Sequence, residues 1–281
     1  MSEVPRFTFA VVGHNEAERL AFSLGQAFEA AAPGDRVWFV DSASTDGSAA
    51  LAAELGAEVL HARIGKGRAM SEALDRCRDG YICFLDADLT WSENNLASAL
   101  RDGVLRHRPQ MLVGSIRQRA RTRLSVTPAI HNPLVGELFP QVLERFPPGI
   151  FALTGCRAID ASLRLGPLPP GYGAETHLNL LFLLAGRSVV ITDLGACENP
   201  IRDYLNVPAM GRDVADAVLD IAQASGRLHP GSRAAWDRWV DEVLGVIRRQ
   251  PPAGAPDDAY IERLLAVAAR PLPPRGSAAA A

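Results

Sequence analysis

Tyr81-Ile82-Cys83-Phe84-Leu85-Asp86-Ala87-Asp88-Leu89 sets five large apolar residues directly before two carboxylates one residue apart. An apolar run this short, closed by acids, reads as a strand buried on both faces of a parallel sheet, carrying Asp86 and Asp88 to its carboxyl edge. Open α/β sheets bind ligands at that edge. Two carboxylates so placed can hold a hard divalent ion, Mg²⁺ or Mn²⁺, by one or two oxygens and leave its other positions to phosphate and water. The competing reading is a helix cap or solvated turn, since average composition yields such a triplet roughly once in a chain this long. Its place straight after a strand favours the metal.

Outward from this stretch the pattern repeats. Phe7 to Val12 reads as the first strand, ending in Gly13-His14-Asn15-Glu16. A helix is expected from about Glu16 to Ala31, with Leu20, Leu24, Ala27 and Phe28 on one face and Pro33-Gly34 stopping it. Val37 to Val40 is the second strand and also ends in an acid, Asp41. The hydroxyl-rich loop Ser42-Ala43-Ser44-Thr45-Asp46-Gly47-Ser48 follows, where Thr45 or Asp46 can cap a helix to Leu55. Glu58 to Ala62 predicts a third strand, Gly67 to Cys77 a helix, Tyr81 to Leu85 the fourth strand, Ser92 to Arg106 a helix, and Met111 to Ile116 a fifth strand. This alternation predicts an α/β fold: a mainly parallel sheet over the first 116 residues, with helices on both faces.

Beyond Arg117 the rhythm breaks. Arg117, Arg119, Arg121 and Arg123 alternate and would share one side of an extended segment, serving either as a solvated loop or as a cationic rail for phosphate or carboxylate. Pro133 to Phe146 predicts a helix bent at Pro140, Ile150 to Leu153 a strand, Glu175 to Leu184 a helix and Val189 to Thr192 a strand. From Val207 to Ala268 the pattern is helical, interrupted at Gly226 to Gly231 and Pro251 to Pro256. The expected division is an α/β domain over 5–205 (halves 5–116 and 117–205), a helical extension over 206–270 and a disordered tail over 271–281. The apolar faces of the extension suit either a homodimer contact or cover for the sheet.

Composition bounds the partners. At 281 residues and 48% hydrophobic content the chain can bury a large core, and a net charge of −3 leaves no basic face for nucleic acid. No apolar run approaches the roughly 18 residues of a membrane span, and no charge excess favours an anionic bilayer. Met1 to Arg6 lack the apolar core of a signal peptide, so a cytoplasmic location is expected. Cys77, Cys83, Cys156 and Cys197 show no CxxC spacing and read as reduced core thiols.

Acids at three strand ends, Asn15-Glu16, Asp41, and Asp86 with Asp88, converge on one edge. Uncompensated carboxylates repel unless a cation or donor-rich ligand sits among them, and a nucleotide with a metal-bridged diphosphate meets that need. Asp41 could accept from a base N–H and Glu16 from ribose or base. Lys66, between Gly65 and Gly67 at a helix start, adds a cation where backbone can approach an anion. Neither GxGxxG nor a Walker loop is present. Pro170, Gly171 and Gly173 form a turn ahead of Glu175, whose charge is favoured at a helix start. That acid reads either as a cap or as a sugar-facing carboxylate. His131, Asn132 and His177 are further acceptor-side candidates that read as readily as surface or core groups.

The order Asn15-Glu16, Asp41 to Asp46, Gly65-Lys66-Gly67 and Asp86-Ala87-Asp88 resembles the nucleotide-sugar half of GT-A (Rossmann-like) glycosyltransferases. With Leu153-Thr154-Gly155-Cys156 and Pro170-Gly171-Tyr172-Gly173-Ala174-Glu175, it is similar to the glucosyl-3-phosphoglycerate synthases, a retaining family, over about residues 7 to 225. The resemblance implies a metal-dependent hexosyltransferase using a nucleoside diphosphate sugar, UDP-glucose, and a small polar acceptor. It assigns the donor to Val12, Asn15, Glu16, Asp41, Lys66, Asp86, Ala87 and Asp88, with Asp88 as principal metal ligand and Glu175 beside the transferring sugar. Acceptor contacts fall to Thr127, Thr154, Gly155 and Arg123. Two departures stand out. The family's metal-binding histidine aligns with Asn199, a weaker ligand that Glu198 could support, and this predicts weaker Mn²⁺ binding. A glycine-arginine pair before the acceptor-binding threonine is replaced within Leu124-Ser125-Val126-Thr127, which removes a bidentate phosphate partner unless one of Arg117 to Arg123 substitutes. Without such a substitute the expected acceptor is not phosphoglycerate but a different molecule bearing acid or phosphate; with one, 3-phosphoglycerate remains an expectation. The rival expectations are a nucleotidyltransferase making an NDP-sugar and a non-catalytic sugar-nucleotide-binding protein.

Overall fold

Phe7–Gly13 (β1) is buried at every position, so its unbroken apolar run belongs to a strand covered on both faces. In the computed structural model, which describes residues 4–118, 126–146, 153–198, 207–248 and 258–276, β1 leads into Leu20–Ala30 (α1), Arg36–Ser42 (β2), Ser48–Glu54 (α2), Glu58–Ala62 (β3), Lys66–Arg76 (α3) and Tyr81–Asp86 (β4). β1 lies between β2 and β4 with β3 outside β2, all parallel. The register sets Val12 beside Asp86 and Gly13 beside Asp41, so three strands finish level at one edge.

The chain continues through Trp91–Ser92 (β5), Leu96–His107 (α4), Met111–Gln118 (β6), a π-helical turn at Thr127–His131, Asn132–Leu138 (α5), Pro140–Leu143 (α6), Arg157–Asp160 (β7), Ala174–Leu184 (α7), Val189–Glu198 (β8), Val207–Ala224 (α8), Arg233–Arg248 (α9) and Asp258–Ala268 (α10). The strand order is β3-β2-β1-β4-β7-β6-β8-β5. β6 is therefore not the neighbour of β4: β7 is inserted between them, antiparallel to both. The strand expected at Ile150 to Leu153 falls mostly outside the described residues, and the strand found lies at 157–160. β8 runs past the expected end at Thr192 through Gly195, whose φ of +91° accompanies a register shift opposite Ser115 and Arg117. Its end pairs with β5, close to the acidic pair.

Alternation along the strands sends side chains to two cores. On one face Phe9, Val11, Phe39, Cys83 and Leu85 pack with Leu24 of α1 and Leu100 of α4. On the other, Trp38, Val40, Phe84 and Ile159 share a core with Leu178 of α7, Val218 of α8, Trp236 and Leu244 of α9, and Leu264 of α10. The apolar faces of the C-terminal helices are thus used within the chain's own core. Disorder from 271 is corrected for the described part of the tail. The Arg275 carbonyl accepts from His229 N at 2.9 Å, Pro274 O accepts from the Trp236 indole at 3.3 Å, and Leu272 packs on the core. Residues 277–281 lie outside the described residues. All four cysteines are buried and none is in a disulfide, in keeping with reduced core thiols. Among the described residues no helix is long and apolar enough to cross a membrane.

Candidate functional site

The level ends of β1, β2 and β4 open into a cleft of about 600 Å³, within the range that takes a drug-sized or nucleotide-sized ligand. Val12, Asn15, Glu16, Lys66, Asp86, Ala87 and Asp88 all line it, so these donor-binding candidates meet in one place. The acidic pair is held from behind. Ala87 N donates to Val12 O at 3.1 Å, and Ser23 Oγ donates to Asp86 O at 2.8 Å.

The loops above the edge are stitched together by side chains. Asn15, at φ +56°, donates its N–H to Ser44 Oγ at 2.9 Å, and its Oδ1 accepts from Thr45 N at 2.7 Å. Glu16 N donates to Ser48 Oγ at 2.9 Å and Ala17 N to Asp46 Oδ2 at 3.0 Å. These bonds fix Glu16 to Arg19 as a turn, which is why α1 begins at Leu20 instead of Glu16. Asp41 is buried and does not line the cleft: its Oδ1 accepts from Ser44 N at 2.9 Å, and its Oδ2 lies 3.3 Å from His61 Nδ1. In this conformation its carboxylate shapes the loop.

Lys66 is the hinge of the site. Its Nζ lies 2.8 Å from Asp86 Oδ1 and 2.6 Å from Glu175 Oε1, tying the first acid of the Asp-x-Asp pair to the acid of the PGYGAE motif. Burial pulls hardest on Lys66 and acts downward, but the charges of Asp86 and Glu175 outweigh it and hold the ammonium above the usual lysine range. Glu175, 4% exposed in the first turn of α7, is engaged by this lysine, while the helix start has no side-chain cap at Gly173. The close backbone approach expected at Gly65 and Gly67 is made by the chain itself. Gly67 N donates to Gly171 O at 3.1 Å and Arg68 N to Pro170 O at 3.2 Å, so carbonyls of the proline-glycine turn occupy the amides at the start of α3. A Cβ on Gly67 would lie 1.7 Å from Pro169 O, and one on Gly65 2.3 Å from Pro170 O. The glycines serve this close approach.

Gly155 supports Asp86 from the other side, since a Cβ there would lie 2.2 Å from Asp86 Oδ1. Thr154 is buried with its hydroxyl accepting from Cys156 N at 3.1 Å, and Thr127 opens the π-helical turn; neither lines the cleft. Arg123, Leu124, Ser125 and Asn199 lie outside the described residues, as do Arg119 and Arg121. Arg117 is described and pairs with Asp193 and with Glu93, the latter at 3.1 Å. β8 ends at Glu198, whose carbonyl accepts from Thr90 N at 2.9 Å, two residues beyond Asp88. Burial first, then the nearby Asp86 and Asp88, push the Cys197 thiol up to about 11, which puts the end of β8 within electrostatic reach of both acids.

Sequence reasoning missed Arg157. It is fully buried on β7, donating from Nη2 to Thr154 O at 2.5 Å and from Nη1 to Asn179 Oδ1 at 3.3 Å, while its Nε finds no partner among the described residues. Burial lowers its pKa, and Glu175 and Asp86 offset only part of that. It also missed Ser42, Ile64, Arg19 and Asp213 as cleft residues; of these, Asp213 comes from α8, far along the chain. Among the described residues no three His, Cys, Asp or Glu side chains form a metal cluster. Asp86 and Asp88 nonetheless suit a hard divalent ion that takes its remaining ligands from phosphate and water.

No curated protein matches the chain at a significant level. Among solved structures, mannosyl-3-phosphoglycerate synthase from Rubrobacter xylanophilus is 25% identical with a TM-score of 0.70, over 80% of this chain and 76% of that one. Glucosyl-3-phosphoglycerate synthase from Mycobacterium tuberculosis, in complex with Mn²⁺, UDP and glucosyl-3-phosphoglycerate, is 22% identical with a TM-score of 0.67, over 77% of this chain and 79% of that one. A further complex of the latter enzyme holds Mn²⁺, UDP-glucose and phosphoglyceric acid. These likenesses agree with the GT-A architecture that the strand order and cleft describe. The family model described as glycosyl transferase family 2 matches residues 8–163. Since that match takes in more than half of the chain, from β1 through β7, the chain belongs to glycosyl transferase family 2 and is a glycosyltransferase.

Proposed function

We propose that this glycosyltransferase is a divalent-metal-dependent hexosyltransferase. It moves glucose from UDP-glucose, with retention at the anomeric carbon, to a small polar acceptor bearing an acid or phosphate, such as 3-phosphoglycerate. The observation that carries the reading is the Asp86–Lys66–Glu175 bridge, in which the cleft residues Asp86 and Lys66 connect the proposed metal-binding motif to the carboxylate of Glu175 just behind the lining. The complexes of the structural neighbours with Mn²⁺, UDP-glucose and phosphoglyceric acid support the choice of ligands.

In this reading Asp88 and Asp86 would hold a divalent ion, Mg²⁺ or Mn²⁺, with Asn199 or Glu198 as an added ligand, and such an ion would supply Lewis-acid stabilisation of the charge on the leaving diphosphate. Lys66 adds a cation at the same wall. The Glu175 carboxylate accepts from sugar hydroxyls and stabilises positive charge at the anomeric carbon as the glycosidic bond opens, and its burial strengthens that effect. The acceptor oxygen attacks from the face the diphosphate leaves. Thr127, Thr154, Gly155 and Arg123 are the proposed acceptor side. Four buried thiols outside any disulfide suit a reducing compartment, and the reading assigns the enzyme to the cytoplasm.

The test is incubation with Mg²⁺ or Mn²⁺ and a panel of NDP-sugars, with and without acid-bearing acceptors. Slow NDP release alone, faster release with acceptor, and an α-configured product by NMR are expected. Turnover that requires pyrophosphate would identify a nucleotidyltransferase, and thermal stabilisation without turnover a binding protein.

A further inference from the structure

Helix α8 begins beyond the stretch matched by the family model, yet it reaches the cleft. Asp213, in its second turn, lines the same cleft as Asp86 and Asp88. Its Oδ2 accepts from Tyr172 N at 2.9 Å. Gly171 passes so close that a Cβ there would lie 1.9 Å from Oδ2, and a Cβ on Gly173 would lie 2.5 Å from the Asp213 carbonyl oxygen. Two glycines of the turn are therefore dictated by this one residue of α8.

Asp213 is set apart from the other charges of its helix. Arg212 pairs with Asp216, Asp237 and Asp241, and Arg233 with Asp216, Asp220 and Asp237, which uses the local cations to join α8 to α9. Asp213 takes no part in that network, and its bond to Tyr172 is its only hydrogen bond or ion pair among the described residues. The turn it grips has two further attachments. The carbonyls of Pro170 and Gly171 fill the amides of Arg68 and Gly67, beside Lys66, and the chain then enters α7 at Ala174 and Glu175.

We propose that Asp213 is a positioning residue of the transferase: by clamping the Gly171–Gly173 turn it sets where Lys66 stands in the cleft and where Glu175, behind it, pairs with that lysine. The C-terminal helices are on this view part of the catalytic unit. A charge-assisted bond from a carboxylate to a backbone N–H is among the stronger hydrogen bonds, and its loss frees the turn on the side facing the ligand. The inference rests on the proposed hexosyl transfer for its consequence, but the clamp itself can be measured without turnover.

The experiment uses the full chain with Asp213→Ala, Asp213→Asn, Gly171→Ala and the Asp213→Ala/Gly171→Ala double variant. Hydrogen exchange at the Tyr172 amide is expected to quicken on the order of tenfold or more in Asp213→Ala and to stay near wild type in Asp213→Asn, whose amide oxygen still accepts. In the transfer assay Asp213→Ala is expected to lower kcat at least tenfold with little change in donor KM, with rescue by Asp213→Asn. Gly171→Ala should be harmful alone and less so when Asp213 is absent, because the clash is with that carboxylate. Unchanged exchange in Asp213→Ala would overturn the clamp, and altered exchange with unchanged kcat would overturn the positioning role. A wild type with no turnover on any NDP-sugar would refute the proposed function while leaving the exchange result to decide the clamp.

Discussion

Replacing Lys66 with methionine removes a cation that pairs with both Asp86 and Glu175 while keeping a side chain of similar length. The three side chains are 20%, 19% and 5% exposed, in the order Lys66, Asp86, Glu175. Removing one member of a buried ion pair costs about 3–5 kcal/mol, because a charge is left without its partner. The cleft admits water on one side, so the lower end applies, about 3 kcal/mol. At about 2 °C per kcal/mol for a chain of this size, the unfolding midpoint should fall by about 6 °C. The pH dependence follows from the direction of the lysine shift. Its folded pKa is raised above the ordinary lysine value of 10.5, so its contribution is fully present below the unfolded pKa and is lost only as pH rises through the folded one. Thermal unfolding of wild type and Lys66→Met should therefore differ by the same amount at pH 6 and pH 9. A midpoint shift under 2 °C, or a gap that closes by pH 9, would refute the view that this lysine holds the acids together.

Gly67→Ala would drive a Cβ to 1.7 Å from Pro169 O, a contact with backbone that cannot be relieved by a rotamer. It should cost about 1–3 kcal/mol in urea unfolding and lower transfer activity, and an unaltered midpoint would contradict the packing. Gly25→Ala in α1 meets nothing within 4 Å, so the same measurement should show a gain of up to about 1 kcal/mol. Gly155→Ala would press on the Asp86 carboxylate at 2.2 Å and should weaken Mn²⁺ binding about 10–100-fold by titration calorimetry, the range for disturbed supports of a ligand. Since Lys66 already occupies Asp86, Mn²⁺ should bind weakly alone and at least tenfold more tightly with UDP present, because the diphosphate offers the ammonium a second anion; equal affinities would count against the shared site.

What the sequence disclosed follows from what each segment buries. β1, β2 and β4 are covered on both faces, so their apolar runs are continuous and their acidic ends mark the edge directly. β7 escaped because its first residue is Arg157, which is 0% exposed: a charged residue at a core position erases the apolar pattern, and four residues leave no other. β8 was cut short at Thr192 because Asp193 and Gly195 read as breakers, whereas a bulge carries the strand through them. At the site, Asp86, Asp88, Lys66 and Glu175 were legible because each sits beside a turn or strand end with a local signature. Asp213 had none. Its relevance arises from a contact with Tyr172 across 41 positions, and nothing in the helical pattern of α8 separates it from Asp216 or Asp220.

The charge balance of the edge also changes what a ligand must do there. From sequence, acids at three strand ends called for a cation between them. The folded chain already answers part of that demand from within: Lys66 bridges Asp86 and Glu175, and the Asp41 oxygens take the Ser44 amide and the His61 ring. The acid cluster is therefore no proof of a bound metal, since the chain can hold it together by itself. What remains for a ligand is the difference between states. A metal and diphosphate arriving together bring positive charge to Asp86 and Asp88 and negative charge to Lys66, so the exchange of partners keeps every charge matched throughout. A bare cation would displace Lys66 from Asp86 with no new anion to receive it. On the proposed reading the arrangement would discriminate by charge pattern: a metal-chelated diphosphate would satisfy Asp86, Asp88 and Lys66 at once, and neither half of it would do so alone.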